Sequence, residues 1–226
     1  MIKACDLGLR IGNYSILRNI NLDMSGNGII AILGGNGAGK TQLLRCLSGV
    51  IQPTTGYVQH HHVTSVRTLG YVAQSPSLLS RSVKANLRFV LRVGGFSVHK
   101  RPQRIDRLLA MGQLEKQADQ MAWCLSLGQQ RRLAVLMALA CYPPVLMCDE
   151  LTAHLDMDNT KRVEQLCQGH NRLVIWVTHD MAQVRRLAQR VIFLHNGAVL
   201  CDQSTDDFFA QPSQPEVGDY LRLYKV

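Results

Sequence analysis

The sequence has no apolar run long enough to cross a bilayer, which takes about 20 consecutive apolar residues. Residues 1–6 (MIKACD) lack the layout of a secretory signal. Its seven cysteines include no C-x-x-C pair and no zinc spacing, and their odd number suits a reducing compartment. The histidine run at 60–62 is only a weak metal-binding pattern. We therefore expect an unexported chain that reaches a membrane only by docking on other subunits.

Acidic residues are scarce: 16 Asp and Glu against 25 Lys and Arg give a formal net charge of +9. Such a charge can attract nucleic acid, an anionic membrane face or an anionic ligand. The basic residues are scattered, and aromatic residues are not interleaved with them as a single-strand-binding platform requires. We interpret the charge as a solvated surface near acidic lipid, and we expect no nucleic-acid partner.

Short apolar runs alternate with helical patterns, which predicts an α/β fold with a largely parallel sheet. The predicted strands are residues 29–33, 69–73, 145–148, 173–177 and 191–195. The region from about 82 to 142 has helical periodicity with Gly94-Gly95 as a break, and we expect an inserted helical subdomain there. Ser204 and Asp207 are spaced as a helix cap. We expect residues 1–226 to form a single domain.

A glycine-rich stretch between a predicted strand and a helical pattern matches the phosphate-loop (P-loop) pattern G-x-x-x-x-G-K-[ST]. The glycines let successive backbone N–H groups turn inward around phosphates, and the following helix presents its positive end to them. Lys40 would neutralise the β- and γ-phosphates, and the Thr41 hydroxyl can ligate Mg²⁺. We therefore predict a site for ATP and Mg²⁺. Its residues are Gly34, Gly35, Asn36, Gly37, Ala38, Gly39, Lys40 and Thr41.

A P-loop needs a further carboxylate for Mg²⁺ at the end of a neighbouring buried strand. The predicted strand 145–148 ends in Asp149 and Glu150. We expect Asp149 to hold Mg²⁺, and Glu150, pointing the other way in an extended backbone, to polarise the attacking water. The predicted strand 173–177 is followed by His179, which can contact the γ-phosphate from that edge. A solvated acidic turn and a structural histidine are the alternative interpretations.

Residues 125–129 (LSLGQ) lie ahead of a helical pattern and resemble the LSGGQ signature of ABC ATPases. In that family the signature of one subunit closes over ATP held in the P-loop of another. The resemblance therefore implies a homodimer in the ATP-bound state, with Ser126, Gly128 and Gln129 against the nucleotide. Leu127 replaces the usual middle glycine.

Other family motifs appear in order along the chain. Gln74 matches the Q-loop glutamine, which implies contact with Mg²⁺ and water and coupling to a membrane partner. His179 matches the switch histidine, and Asp156 resembles the D-loop aspartate at the dimer seam. The resemblance implies a RecA-like P-loop NTPase core with an N-terminal antiparallel β part. It also implies catalytic roles for Glu150, His179 and Gln74.

Several positions depart from the family pattern. Gly35 stands where Pro is common, Leu151 replaces the Pro after the catalytic glutamate, and Gln42 stands where a second Ser or Thr is usual. The nucleotide-binding position 42 therefore lacks one hydroxyl contact to phosphate. Ungapped spacing places Ile11 at the adenine, whereas Tyr14 would serve only if the loop is shifted. Apolar packing from Ile11 would bind adenine more weakly than an aromatic ring.

A single short cassette without a fused membrane span resembles an importer subunit. Residues 79–87, 178–188 and 193–197 are similar to ATP-binding subunits of tungstate-type oxyanion importers. The resemblance implies ATP-driven import of a small solute, an oxyanion such as tungstate or molybdate. The implied partners are integral membrane permease subunits and a solute-binding protein, with the chain peripheral on the cytoplasmic face.

Three alternatives stay open. The chain resembles the stand-alone cassette of an export system such as the haem exporter. A soluble ABC ATPase acting on DNA or ribosomes would use the basic charge. A non-enzymatic, nucleotide-gated regulatory module would not need the water-activating carboxylate that this sequence retains.

Overall fold

The computed structural model describes residues 2–60, 69–212 and 214–224. The strands in chain order are β1 (Ile2–Ile11), β2 (Tyr14–Met24), β3 (Gly28–Gly34), β4 (Thr55–His60), β5 (Gly70–Val72), β6 (Val145–Asp149), β7 (Leu173–Val177), β8 (Arg190–His195) and β9 (Ala198–Ser204). The α-helices are α1 (Lys40–Leu47), α2 (Val83–Val93), α3 (Arg101–Gly112), α4 (Leu127–Leu139), α5 (Met157–Gln168), α6 (Met181–Leu187), α7 (Thr205–Ala210) and α8 (Pro215–Leu223).

The chain forms two compact units, one of residues 1–66 and 172–226 and the other of residues 67–171. The first unit contains the P-loop and His179. The second contains Gln74, the signature, Asp149 and Glu150. That residues 1–226 form a single domain stays a prediction, because the compactness of each unit does not show whether the units fold separately.

Two sets of strands build the first unit. β1 pairs antiparallel with β2 and β4, in the order β2-β1-β4. The other set has the order β7-β3-β8-β9, in which β3 runs parallel to β7 and β8, and β9 returns antiparallel to β8. β7 is buried along its whole length and β3 nearly so, as expected for parallel strands made of continuous apolar runs. The strands predicted at 29–33, 173–177 and 191–195 are confirmed.

An aromatic cluster closes the C-terminal part of the first unit. The ring of Phe193 on β8 lies 4.9 Å from that of Tyr220 on α8 and 6.1 Å from that of Phe208 on α7. Ser204 starts α7, because its hydroxyl accepts a hydrogen bond from the Asp207 backbone N–H at 3.1 Å. The predicted cap is therefore confirmed, and it directs α7 so that Phe208 enters the core.

The second unit combines a parallel strand pair with helices. β5 runs parallel to β6, with Val72 opposite Cys148, so the strands predicted at 69–73 and 145–148 are confirmed. Helices α2, α3 and α4 lie between them in sequence, and α2 ends at Val93, just before Gly94-Gly95. Among residues 82–142, all of which are described, strand-type pairing is limited to one bridge between Ser82 and Met121. The predicted helical character of this region is confirmed.

The described residues include no helix that is both long and apolar enough to span a bilayer.

Candidate functional site

The P-loop connects β3 to α1, and the N-terminus of α1 has no side-chain cap. Gly39 is the N-cap residue, and the first turn of α1 contains no acidic residue. By contrast, Ser82 caps α2 and Asp180 caps α6 through their side chains. The positive dipole end of α1 therefore has no capping or acidic side chain against it, and an anion is the ligand that suits it.

The glycines of this turn serve different purposes. Gly39 has a φ of +98°, and a Cβ there would lie 2.8 Å from the Leu17 side chain, so both conformation and space exclude other residues. Gly37 has a φ of +77° but faces open space, and Gly35 also faces open space without a positive φ. Side chains at positions 35 and 37 would fill the open space beside the turn. Because both residues are glycine, this space is left for a phosphate chain.

Lys40 is 8% exposed. It donates hydrogen bonds to the carbonyl oxygens of Gly34 at 2.8 Å and Gly35 at 2.9 Å. Thr41 follows in the first turn of α1. The side-chain oxygen of Gln42 is buried and accepts no hydrogen bond from any described residue. The open face of Gly35 and Gly37 and the Lys40 ammonium group suit a phosphate chain, and the Thr41 hydroxyl suits Mg²⁺, so the residues present fit the predicted ligands.

The structure brings His179 to the edge of the sheet at which the P-loop begins. Ile32 on β3 lies opposite Val177 on β7 in parallel register. Continuing that register by two residues places His179, which is exposed, level with Gly34. Asp180 next to it accepts a hydrogen bond from the Gln183 backbone N–H at 3.0 Å and so starts α6. The sequence predicted this position from the strand end alone.

Both candidates for the adenine contact lie at the tip of the β1–β2 hairpin. Ile11 and Tyr14 face each other as a cross-strand pair, and they are 51% and 77% exposed. Directly opposed side chains in an antiparallel pair lie about 5 Å apart, so a base that contacts one is within reach of the other. The assignment to Ile11 stays a prediction.

In the second unit β6 carries two carboxylates at its C-terminal end. Asp149 is 1% exposed and is the last residue of the strand. Glu150 has a φ of +46°, and the Ala153 backbone N–H donates to its carbonyl oxygen at 3.2 Å. The expectation that Glu150 continues an extended backbone is therefore wrong. The strand ends at Asp149, and a tight turn holds Glu150 in the left-handed region, which costs a non-glycine residue about 1–2 kcal/mol.

Gln74 and Glu150 are in direct contact. The Gln74 Nε2 donates a hydrogen bond to the Glu150 Oε2 at 3.0 Å. The strand register explains the contact, because Val72 lies opposite Cys148 and each of these two side chains follows two residues later. Side chains beyond the carboxyl ends of parallel strands are well placed for ligands. The structure thus joins two residues that were predicted to be catalytic.

The signature forms the N-terminus of α4. Ser126 is the N-cap: its hydroxyl accepts from the Gln129 backbone N–H at 3.4 Å, and its own N–H donates to the Gln129 side-chain oxygen at 2.9 Å. This is a capping box, whose S-x-x-Q pattern is present in the sequence but was not used to predict it. Leu127, the departure from the family pattern, is 46% exposed, so its side chain does not disturb the core.

The signature and Asp156 meet through Asn159. A Cβ on Gly128 would clash with the Asn159 side chain, so the glycine allows α4 and α5 to approach closely. Asp156 caps α5 by accepting from the Asn159 backbone N–H and side-chain amide, both at 2.8 Å. These hydrogen bonds lower the pKa of the Asp156 carboxyl group. Sequence reasoning did not identify Asn159.

The described residues contain no group of three or more His, Cys, Asp or Glu side chains that could hold a metal ion. Two of the three consecutive histidines, at positions 61 and 62, lie outside the described residues. A magnesium ion that arrives with a nucleotide needs only one or two protein carboxylates or hydroxyls. The predicted Mg²⁺ contacts of Thr41, Gln74 and Asp149 therefore stay predictions.

Comparison with known proteins gives a consistent result. The family described as "ABC transporter" matches residues 17–153. The chain is 30% identical to the methionine import ATP-binding protein MetN 1 of Acinetobacter baylyi, over 93% of this chain and 64% of that protein. It is 31% identical to the phosphate import ATP-binding protein PstB of Campylobacter jejuni, over 97% of each chain. The chain spans a little less than two thirds of the methionine-import relatives.

A solved structure is also similar. The dimeric ATP-binding cassette MJ0796, in a post-hydrolysis state with ADP and Pi, superposes with a TM-score of 0.80 at 26% identity, over 91% of this chain and 99% of that chain. The predicted P-loop NTPase fold, with parallel strands, an N-terminal antiparallel sheet and helices, is thereby confirmed.

Proposed function

Because this chain belongs to the ABC transporter family and is an ABC ATPase, we propose that it drives the import of a small solute by hydrolysing ATP. We propose further that the solute is an oxyanion such as tungstate or molybdate. The single observation that carries the hydrolytic mechanism is the hydrogen bond between Gln74 and Glu150.

The P-loop would hold the nucleotide. The uncapped end of α1 and the open face of Gly35 and Gly37 suit the phosphates, and the buried Lys40 supplies the positive charge. Thr41, Gln74 and Asp149 would hold Mg²⁺, which supplies charge neutralisation for the transferring phosphoryl group. The remaining P-loop residues, Asn36 and Ala38, belong to the same turn, and Gln42 follows it on α1. Ile11 would pack against adenine.

Glu150 would act as the general base. Its carboxylate would accept a proton from the water that attacks the γ-phosphorus, and ADP would leave with the bridging oxygen. Gln74 would orient both the carboxylate and the water, since it already binds one carboxylate oxygen. His179 would contact the γ-phosphate.

We propose that the ATP-bound form is a homodimer. Ser126, Gly128 and Gln129 at the start of α4 would face the nucleotide held by the other subunit, and Asp156 would lie at the seam. The capping box engages the backbone N–H groups of Ser126 and Gln129, and the positive dipole end of α4 would face the nucleotide. The dimeric structure of the cassette MJ0796 supports this arrangement.

A permease would dock on the second unit. A groove of 800 Å³ runs beside the segment that carries Gln74 and is mostly apolar. Its lining includes Leu69, Tyr71, Ala73, Pro76, Phe89 and Val93. Its size and apolar character suit an amphipathic helix presented by an integral membrane permease on the cytoplasmic face. The net charge of +9 favours the nearby anionic lipid, and we expect no nucleic-acid partner.

The oxyanion assignment rests on the short segments that resemble tungstate-type importers. The similarity to a phosphate-import subunit is in keeping with it, whereas the similarity to a methionine-import subunit shows that shared cassette motifs do not identify the solute. In importers the solute is selected by other subunits, so we expect a solute-binding protein among the partners.

The hydrolytic mechanism is tested by Glu150→Gln, which removes the base but keeps the size of the side chain. We expect ATP binding to persist and turnover to fall about 100-fold or more, the usual range for a general base. Lys40→Ala is the contrasting variant, because it should weaken ATP binding itself. Unchanged turnover in Glu150→Gln would exclude Glu150 as the base.

The transport role is tested by purifying the tagged chain from detergent-solubilised native membranes and identifying bound proteins by mass spectrometry. A multi-span permease with a solute-binding protein supports import, and a permease with no solute-binding protein supports an exporter. Ribosomes or DNA-bound proteins without a permease would contradict both. If tungstate and molybdate leave the ATPase rate of the complete complex unchanged while another solute raises it, the oxyanion assignment fails.

A further inference from the structure

Arg131 is a buried cation that the proposed mechanism does not use. It lies in the second turn of α4 and is only 6% exposed. Its Nη1 donates a hydrogen bond to the backbone carbonyl oxygen of Gln74, while its Nε has no hydrogen-bond partner among the described residues. Burial lowers the pKa of its guanidinium group. Burying a cation beside a neutral carbonyl rather than a carboxylate costs free energy.

The carbonyl that Arg131 holds belongs to the residue that binds the proposed base. Gln74 is exposed and lies beyond the end of β5, in the segment 73–81, which has no helix or strand. Its backbone is fixed by Arg131 and its side chain by Glu150, at 3.0 Å. The orientation of the Gln74 side chain toward Glu150 therefore depends on a backbone that α4 holds in place.

The helix that supplies Arg131 also begins at the signature. Ser126 is the N-cap of α4 and Arg131 follows five positions later, a rise of about 7.5 Å. The next residue along the helix contacts a different segment, since the Arg132 Nη1 donates to the Gly112 carbonyl oxygen at 3.0 Å. Because a helix moves as a rigid rod over this distance, a displacement of the signature would move the Gln74 carbonyl with it.

We propose that Arg131 is a positioning residue for ATP hydrolysis, which links the signature helix to Glu150 through the backbone and side chain of Gln74. This proposal rests on the proposed function of Glu150 as the base. Arg131 itself touches neither nucleotide nor water in this scheme. It fixes the residue that does.

The matched control is the neighbouring arginine. Arg132 is 7% exposed, lies on the same helix and also donates to a backbone carbonyl, but to Gly112 rather than Gln74. Arg131→Met and Arg132→Met therefore remove the same kind of contact from the same helix. If burial and packing alone matter, the two variants lose stability and activity together.

The experiment measures kcat and KM for ATP on the full chain, in the permease complex where it can be purified. We expect Arg131→Met to lower kcat roughly tenfold, the effect of losing about one hydrogen bond in the transition state, with KM changed less than about twofold. Arg132→Met should keep kcat within about twofold of the wild type. Arg131→Lys should recover part of kcat, because an ammonium group can still donate to the Gln74 carbonyl.

A double-mutant cycle with Gln74→Ala separates positioning from a general loss of structure. Once the Gln74 side chain is absent, Arg131→Met should lower kcat no further, because its route to Glu150 is already lost. Additive effects of the two changes, or equal kcat losses in Arg131→Met and Arg132→Met, would overturn the proposal. An active Glu150→Gln variant would instead overturn the function on which it rests, so the two failures are distinguishable.

Discussion

Asn86 on α2 gives the prediction that the structure defines most closely, because it is a fully buried amide with every polar atom engaged. None of its surface is exposed. Its side-chain oxygen accepts from the Leu79 backbone N–H at 2.9 Å. Its side-chain nitrogen donates to the carbonyl oxygens of Leu79 at 3.1 Å, Arg81 at 3.2 Å and Ser82 at 3.0 Å. The amide therefore holds the C-terminal end of the 73–81 segment against α2.

The size of the effect follows from the count of donors and acceptors. The amide nitrogen has two hydrogens, so its three neighbouring carbonyl oxygens share two donated hydrogen bonds. The hydrogen bond that the side-chain oxygen accepts from the Leu79 N–H is the third. At about 1 kcal/mol net for each bond, Asn86→Ala should lower the free energy of unfolding by about 3 kcal/mol. The Leu79 N–H, left without its acceptor, would turn toward water and lose its protection.

The assay is urea denaturation at neutral pH, combined with hydrogen exchange of the segment. We expect the midpoint to fall and the Leu79 amide to exchange much faster in Asn86→Ala. Arg88→Ala is the control, since Arg88 is exposed on the same helix and its replacement should change stability by less than about 0.5 kcal/mol. A loss below about 1 kcal/mol in Asn86→Ala, with Leu79 still protected, would refute the reasoning.

Two further predictions concern other parts of the site. Gly39→Ala should cost about 1–3 kcal/mol of stability and weaken ATP binding, because Ala is strained at a φ of +98° and its Cβ would press on Leu17. Thermal unfolding measures the loss of stability, and nucleotide titration measures the loss of binding. Gly35→Ala is the control: Gly35 faces open space and has no positive φ, so this variant should have the Tm of the wild type. The hydrogen bonds from Asn159 lower the pKa of the Asp156 carboxyl group. The ionised carboxylate therefore stabilises α5 at pH values above the ordinary carboxyl pKa, and this stabilisation is lost as the pH falls through the lowered pKa. Asp156→Asn does not titrate, so the difference in Tm between wild type and variant should shrink below about pH 4 and then vanish; a constant difference would contradict the assignment.

Local patterns in the sequence predicted much of the fold. The strands were predictable because parallel strands buried on both faces are continuous apolar runs, as in β3, β6 and β7. The P-loop was predictable because its conformation demands glycine at fixed positions, which the positive φ values of Gly37 and Gly39 show. The position of His179 followed from the end of β7. In each case the signal lies within a few consecutive residues.

The backbone of Glu150 shows where such reasoning failed. An acidic pair after an apolar run indicates that a strand ends, but not at which of the two residues. The strand ends at Asp149, and Glu150 takes a φ of +46° that the sequence does not signal, since glutamate rarely adopts it. The prediction that Gln74 and Glu150 share a role depended on resemblance. Their hydrogen bond follows from the register of β5 and β6, which the sequence does not specify.

Contacts between distant segments account for the rest. Arg131 reaches Gln74, which lies 57 positions away in the chain, and no spacing rule predicts such a pair. Asn159 donates to Asp156 and packs against Gly128, but it looks like an ordinary polar residue in the first turn of a helix. The capping box of Ser126 and Gln129 was accessible to sequence reasoning, since S-x-x-Q is a known helix-start pattern.

The segment 73–81 is held at both ends by buried side chains from different helices. Arg131 on α4 holds it at Gln74, and Asn86 on α2 holds it at Leu79 and Arg81. Residues 75–78 lie between these anchors, and all four line the apolar groove proposed for the permease. A helix pressing on that stretch would rotate the backbone about fixed ends rather than displace the whole segment. One of those ends is Gln74, so we expect docking to act on Glu150 through the hydrogen bond between the two side chains.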